Sequence, residues 1–114
     1  MKIFVCHPLR SSGAIEGNIE AVKAIAREIS LRGDTPYVPH FSALFLSCGI
    51  KEEDEAGIRD ALIMLQACDK IEVHGLIGGA MHEEIKLAQE LGFQVDFSNA
   101  IIGIPVKNGG FEVR

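Results

Sequence analysis

The chain lacks any apolar run approaching the roughly 18 residues of a membrane-spanning helix. Met1-Lys2 leads straight into a short strand pattern rather than a signal sequence, so a cytoplasmic protein is expected. A cysteine framework is also missing. The three cysteines, Cys6, Cys48 and Cys68, form no Cys-x-x-Cys pair and are odd in number, which points to reduced, buried thiols. Cys6, His7, His40 and His74 are spaced unlike any zinc pattern, and no metal or other cofactor is expected. Basic residues are few: 11 Lys and Arg against 16 Asp and Glu leave a net charge of −5. With no cationic stripe to displace counterions, a nucleic-acid polymer is excluded as the main partner, whereas loop amides can still hold a small anion. Internal repeats, low-complexity tracts and linkers are absent, so residues 1–114 read as a single domain.

What remains is an ordinary globular composition, 47% hydrophobic and 24% charged with 12 glycines. Lys2 to Cys6 carries Ile3, Phe4 and Val5 in succession, the pattern of a strand covered on both faces. Pro8 ends it. A loop from His7 to Gly13 opens into a helix with Ser12 or Gly13 as cap and Ile15, Ile19, Val22, Ile25, Ala26 and Ile29 as its buried stripe. Thr35 to Val38 is a second strand, and Pro36 and Pro39 suit it to a sheet edge. Phe41 to Ile50 has no clean period and is read as a loop or short helix over a cleft.

The next helix, Lys51 to Cys68, begins with acids that suit a helix amino terminus, Glu52 to Glu55. Ile58, Ala61, Leu62, Leu65 and Cys68 form its core stripe. Ile63, Met64 and Ala67 make a second apolar patch, with Asp60 inside it; either a second copy of the chain covers it, as a homodimer or higher homo-oligomer, or it packs under a loop. Lys70 to His74 is a third strand, Phe93 to Phe97 a fourth, Ala100 to Val106 a fifth, and Asn108-Gly109-Gly110 a turn. Strands alternating with helices imply a doubly wound α/β fold, an approximately five-stranded parallel sheet in the flavodoxin-like or Rossmann-like order 2-1-3-4-5, with helices on both faces.

That order places ligands beyond the carboxyl ends of the first and third strands, at Cys6 to Gly13 and His74 to Met81. The second of these loops runs through Gly75-Leu76-Ile77-Gly78-Gly79 into a helix from Ala80 to Leu91. At about 100° per residue, Met81, Ile85, Leu87, Ala88 and Leu91 share one arc, and Glu84 falls within it while Glu83 does not. A carboxylate on an apolar face is costly unless paired, protonated or used, so Glu84 is the candidate working residue. The bland alternative is a surface carboxylate paired with Lys86. His7 and His40 sit at strand ends facing the same crevice, and Arg10, Ser11 and Ser12 form a weak anion signal without the Lys-Ser/Thr of a P-loop.

The run Lys2-Ile3-Phe4-Val5-Cys6-His7-Pro8-Leu9-Arg10, then Asn18, Pro36-Tyr37-Val38-Pro39-His40, Asp60, Leu65-Gln66-Ala67-Cys68-Asp69, and Met81 with Glu84-Ile85 and Ala88 resembles the nucleoside 2-deoxyribosyltransferase-like superfamily. It resembles especially the small members, many of them in bacteria and phages, over nearly the whole chain to about Val95. The resemblance implies a nucleoside- or nucleotide-acting N-glycosidase or 2-deoxyribosyltransferase. Glu84 would be the nucleophile at the anomeric carbon, and Asp60 would contact the sugar or protonate the departing base. It also implies that Gly78 and Gly79 lie by the sugar, with Met81 beside them, and that Phe4 stands where relatives often carry a tyrosine. The glycine turn holds none of the serines that bind phosphate in the related hydrolases. For Asp60 the competing reading is a salt bridge with Arg59 or Arg27. The alternative function is a protein of the same fold that binds or sequesters a nucleotide or nucleotide-derived signal without turning it over.

Overall fold

The structure is a computed structural model that describes residues 1–101, 103–105 and 111–113. Strand β1, Lys2–Cys6, lies between β2, Thr35–Tyr37, and β3, Lys70–Leu76, and β4, Gln94–Ile101, flanks β3 on its far side. The order β2-β1-β3-β4 is parallel throughout. Alternation along β1 explains its uninterrupted apolar run, because side chains two residues apart share a face. Ile3 and Val5 pack with Val22 and Ile29 of helix α1, Ile15–Leu31, on one face. Phe4 and Cys6 pack on the other with Ala61 and Leu65 of α2, Lys51–Gln66, and with Met81, Ile85 and Ala88 of α3, Met81–Glu90. The sheet is therefore flanked by helices on both sides, and no helix among the described residues is long and apolar enough to cross a membrane.

The sheet has four strands, not five. Ser98 and Asn99 read as a break, yet β4 runs through them, with a register shift between Glu72 and His74 that pairs His74 with Asn99 and Leu76 with Ile101. Backbone hydrogen bonds to a lengthened β3 sustain the strand, and an edge position tolerates polar side chains turned to water. Ala100 and Ile101 thus end β4 rather than opening a fifth strand. The following strands, β5, Gly103–Pro105, and β6, Phe111–Val113, pair antiparallel in a separate two-stranded sheet. The expected turn at Asn108-Gly109-Gly110 lies outside the described residues.

Edge placement of β2 agrees with its flanking prolines. After it the chain forms a 3-10 helix, Pro39–Leu44, where the sequence showed no period. The start of α1 also differs from expectation. Ala14, not Ser12 or Gly13, is its cap residue and offers no side-chain hydrogen bond. The preceding loop is instead held from inside the helix, where the Asn18 amide donates to the carbonyls of Leu9 (2.8 Å) and Ser12 (2.6 Å).

Candidate active-site cleft

Where β1 and β3 end, the chain leaves them in opposite directions, and the resulting gap is a cleft of about 380 Å³. That volume suits a small-molecule ligand. One wall is the loop after β1, with His7, Leu9, Arg10 and Ser11. A second is the 3-10 helix and the loop after it, with His40, Ser42, Leu46, Ser47 and Cys48. The first turns of α2 and the start of α3 close it with Glu53, Asp54, Gly57, Ile58, Gly78, Gly79, Met81 and Glu84.

Two glycines make this approach of loops possible. Gly75 has φ +74°, and a Cβ there would stand 3.1 Å from Pro8 Cδ. Gly79 has φ +53°, and its Cβ would meet Ser11 Cβ at 3.2 Å. Any larger residue at either position would force the β1 loop away from the α3 turn, as well as straining a left-handed backbone.

Glu84 is only 7% exposed. Packing of Met81, Ile85 and Ala88 against the sheet turns the same helical face inward and carries the Glu84 carboxyl with it. Burial pushes its pKa up to about 7, opposed by a hydrogen bond from the Cys6 thiol and reinforced by the neighbouring charge of Glu83. Cys6 itself is raised far above the usual thiol range, first by burial and then by Glu84, so it remains an S–H donor. Among the described residues no Lys or Arg forms an ion pair with Glu84. A buried carboxyl with a raised pKa in a cleft makes Glu84 a candidate functional group.

The two histidines meet edge to face, with ring centroids 5.9 Å apart. His40 Nε2 donates to the His7 carbonyl at 2.5 Å, and His7 Nδ1 donates to the Pro8 carbonyl at 2.8 Å. Burial lowers both, His40 to about 4, so both are neutral at pH 7. The Nδ1 atom of His40 is buried without a hydrogen-bond partner. Arg10 donates from Nη2 to Asp54 Oδ2 at 2.9 Å across the mouth of the cleft.

His7, Arg10, Ser11, His40, Gly78, Gly79, Met81 and Glu84 therefore converge, whereas Asp60, Phe4 and Ser12 do not line the cleft. Asp60 is half-exposed, pairs with Arg59 at 3.1 Å, and borders a separate groove with Phe41, Phe45 and Met64. The reason is helical phase: Ile58 takes the cleft side of α2, Gly57 and Ala61 border both hollows, and Asp60, about 100° round the helix from Ala61, borders only the second. Phe4 is fully buried beneath the cleft floor in the core. Ser12 offers its carbonyl to Asn18 instead of lining the cavity.

Residues the sequence did not single out are Ser42, Ser47, Cys48, Glu53 and Asp54. The acidic run at the α2 start was the available signal. Glu53 and Asp54 do more there than favour a helix dipole: Glu53 accepts from the Ser47 amide (2.9 Å) and Asp54 from the Gly49 amide (3.1 Å). Among the described residues, no group of three or more His, Cys, Asp or Glu is arranged to hold a metal ion.

Residues 1–98 match the model of a family described as a domain of unknown function (DUF7768). No curated protein matches the chain. Among solved structures the chain is similar to the 2-deoxyribosyltransferase from the psychrotolerant bacterium Bacillus psychrosaccharolyticus. The TM-score is 0.65 with 17% identity, over 96% of this chain and 82% of that one. At that identity the likeness is one of fold.

Proposed function

Because the chain belongs to the DUF7768 family, whose description assigns no activity, we propose from the cleft itself that it cleaves N-glycosidic bonds of nucleosides or nucleotides. The reaction is release of the base or transfer of its deoxyribosyl group, with Glu84 as the nucleophile. The similarity in fold to a 2-deoxyribosyltransferase supports this reading, as does the resemblance of the sequence motifs to that superfamily. The observation that carries it is Glu84: a buried carboxyl without an ion-pair partner among the described residues, at the cleft floor.

Cleavage passes through an oxocarbenium-like transition state, in which positive charge grows on the anomeric carbon. A carboxylate held away from water and from cations is well placed to stabilise that charge and then to close on the carbon as a glycosyl ester. Water or an acceptor base resolves the ester, and the carboxylate leaves. The Cys6 thiol beside it opposes burial and favours the ionised carboxylate. His40 and His7, both neutral, offer hydrogen-bonding walls without adding charge that would oppose the cation.

Incubation with a panel of deoxynucleosides and deoxynucleotides, with and without an acceptor base, tests the proposal by release of free base. Release that survives Glu84→Gln would remove Glu84 from the nucleophile role. A second reading, ligand binding without turnover, draws on the position of Asp60, which pairs with Arg59 and is not among the described residues lining the cleft, so it is not at hand to protonate a departing base. Under it, a ligand recovered after denaturation is intact rather than split into sugar and base. On either reading a second copy of the chain covers the outer side of α2, where Ile63 is 60% exposed.

A further inference from the structure

The charges around the cleft do not suit an anion. Among the described residues, its lining contains one cationic side chain, Arg10, against three carboxyl groups, Glu53, Asp54 and Glu84. The Arg10 charge is already engaged. Its guanidinium meets Asp54 at 2.9 Å and passes over Gly49, where even an added Cβ would lie 3.8 Å from Nη1. Asp54 is itself fixed, accepting the Gly49 amide on both oxygens at 3.1 and 3.3 Å. Glu53 beside it is tied to the Ser47 amide. A phosphate drawn to Arg10 would compete with Asp54 for the guanidinium and would stand next to Asp54 and Glu53 with no other cation in the lining. A hydroxyl or a base edge meets no such repulsion.

We propose that Asp54 is a specificity-determining residue: by holding Arg10 in an ion pair it reserves the cleft for ligands without a phosphate group. Resting on the N-glycosidase reading above, this makes the free deoxynucleoside, not its 5′-phosphate, the substrate class. The pair is partly exposed and contributes little to folding, so Asp54→Asn, which retains an oxygen for the Gly49 amide, alters the field more than the fold.

The test uses inorganic pyrophosphate as the probe, by calorimetric titration and thermal shift against sodium chloride at matched ionic strength. Wild type is expected to show no saturable pyrophosphate binding. Asp54→Asn is expected to gain it, at least about tenfold tighter than wild type, and to lose it again on adding Arg10→Gln. Wild-type binding that disappears in Arg10→Gln would overturn the proposal, as would an Asp54→Asn protein that folds and gains nothing. Should Asp54→Asn not fold, wild type against Arg10→Gln decides alone: no Arg10-dependent pyrophosphate binding supports the proposal, and such binding overturns it. Deoxynucleosides are titrated in parallel. If they too do not bind while pyrophosphate behaves as expected, the N-glycosidase reading fails and the role of Asp54 stands.

Discussion

Glu72 on β3 and Glu84 on α3 are the buried carboxylates among the described residues, 3% and 7% exposed, and only the first is paired with a cation. Glu72 is paired with the guanidinium of Arg32, at the carboxyl end of α1, and with His74 at 3.2 Å. Arg32 also meets Asp34 at 3.0 Å, and Asp34 accepts from the chain's amino terminus at 2.9 Å. Those bonds lift the Arg32 pKa, foremost the one to Glu72, and hold Asp34 below the usual carboxylate range. Among the described residues Glu84 has the Cys6 thiol beside it and no cation. The same side chain is thus neutralised where it braces the sheet and left uncompensated where it faces a cleft. A fold tolerates the second arrangement only at a cost in stability, which is the pattern expected of a site selected for function.

Breaking the uncompensated side gives the largest effect. Glu84→Gln is expected to lower base release on the order of a thousandfold or more, read as kcat/KM. The same substitution should stabilise the fold. Glu84 has an ordinary value of 4.5 and is held at about 7 in the folded state, so at pH 8 its ionised form weakens folding by about 3 kcal/mol. Urea denaturation at pH 8 should show that gain for Glu84→Gln and at pH 4 should show almost none. A variant that is less stable at pH 8 would mean that Glu84 is braced like Glu72.

Breaking the compensated side should do the reverse. Arg32→Ala leaves Glu72 buried with His74 alone and is expected to lose about 2 kcal/mol, below the roughly 3–5 of a fully enclosed pair because Arg32 is half-exposed. Base release by the variant that remains folded should be close to wild type, since Arg32 is not part of the cleft lining.

The pH dependence of stability sharpens the contrast further. Between pH 4.5 and 7 the folded protein holds a proton on Glu84 that the unfolded chain has released, so this contribution to stability falls as pH rises through that range. His40 acts oppositely. Its folded value of about 4 lies below its ordinary 6.5, so its contribution is present above pH 6.5 and is lost as pH falls toward 4. The two nearly cancel in wild type. His40→Gln should make stability decline with rising pH, and Glu84→Gln should make it decline with falling pH, by denaturation midpoints across the range. Activity that needs ionised Glu84 should rise with pH through about 7.

The smallest effects lie outside both sites. Asp60→Asn should change base release by no more than about twofold, since Asp60 faces the outer groove. Ile63→Glu should lower the mass seen by light scattering if a second copy covers that side of α2, without altering the cleft.

The inward direction of Glu84 was legible because it follows from helical phase alone: Met81, Ile85 and Ala88 had to face the sheet, and a residue at position 84 had to go with them. Periodicity placed Ala61, Leu65 and Cys68 on the core side of α2 with Asp60 off it, as found; a place for Asp60 at the site came only from the family resemblance, and no local pattern says which hollow it borders. The acids at the α2 start were read as helix-end residues, which they are. That Asp54 also reaches Arg10, 44 residues away in sequence, has no local signature.

From its own pattern of apolar residues, prolines and glycines the chain determined its alternating strands and helices, the edge position of β2 and the burial of Glu84. These depend on interactions between residues near one another or on simple periodicity. Tertiary structure decided where β4 stops, which side of α2 lines the cleft and which acid engages Arg10. Each of these depends on which distant surfaces come together, and such long-range partners are set by the packing of the whole sheet and its helices rather than by any local run of residues.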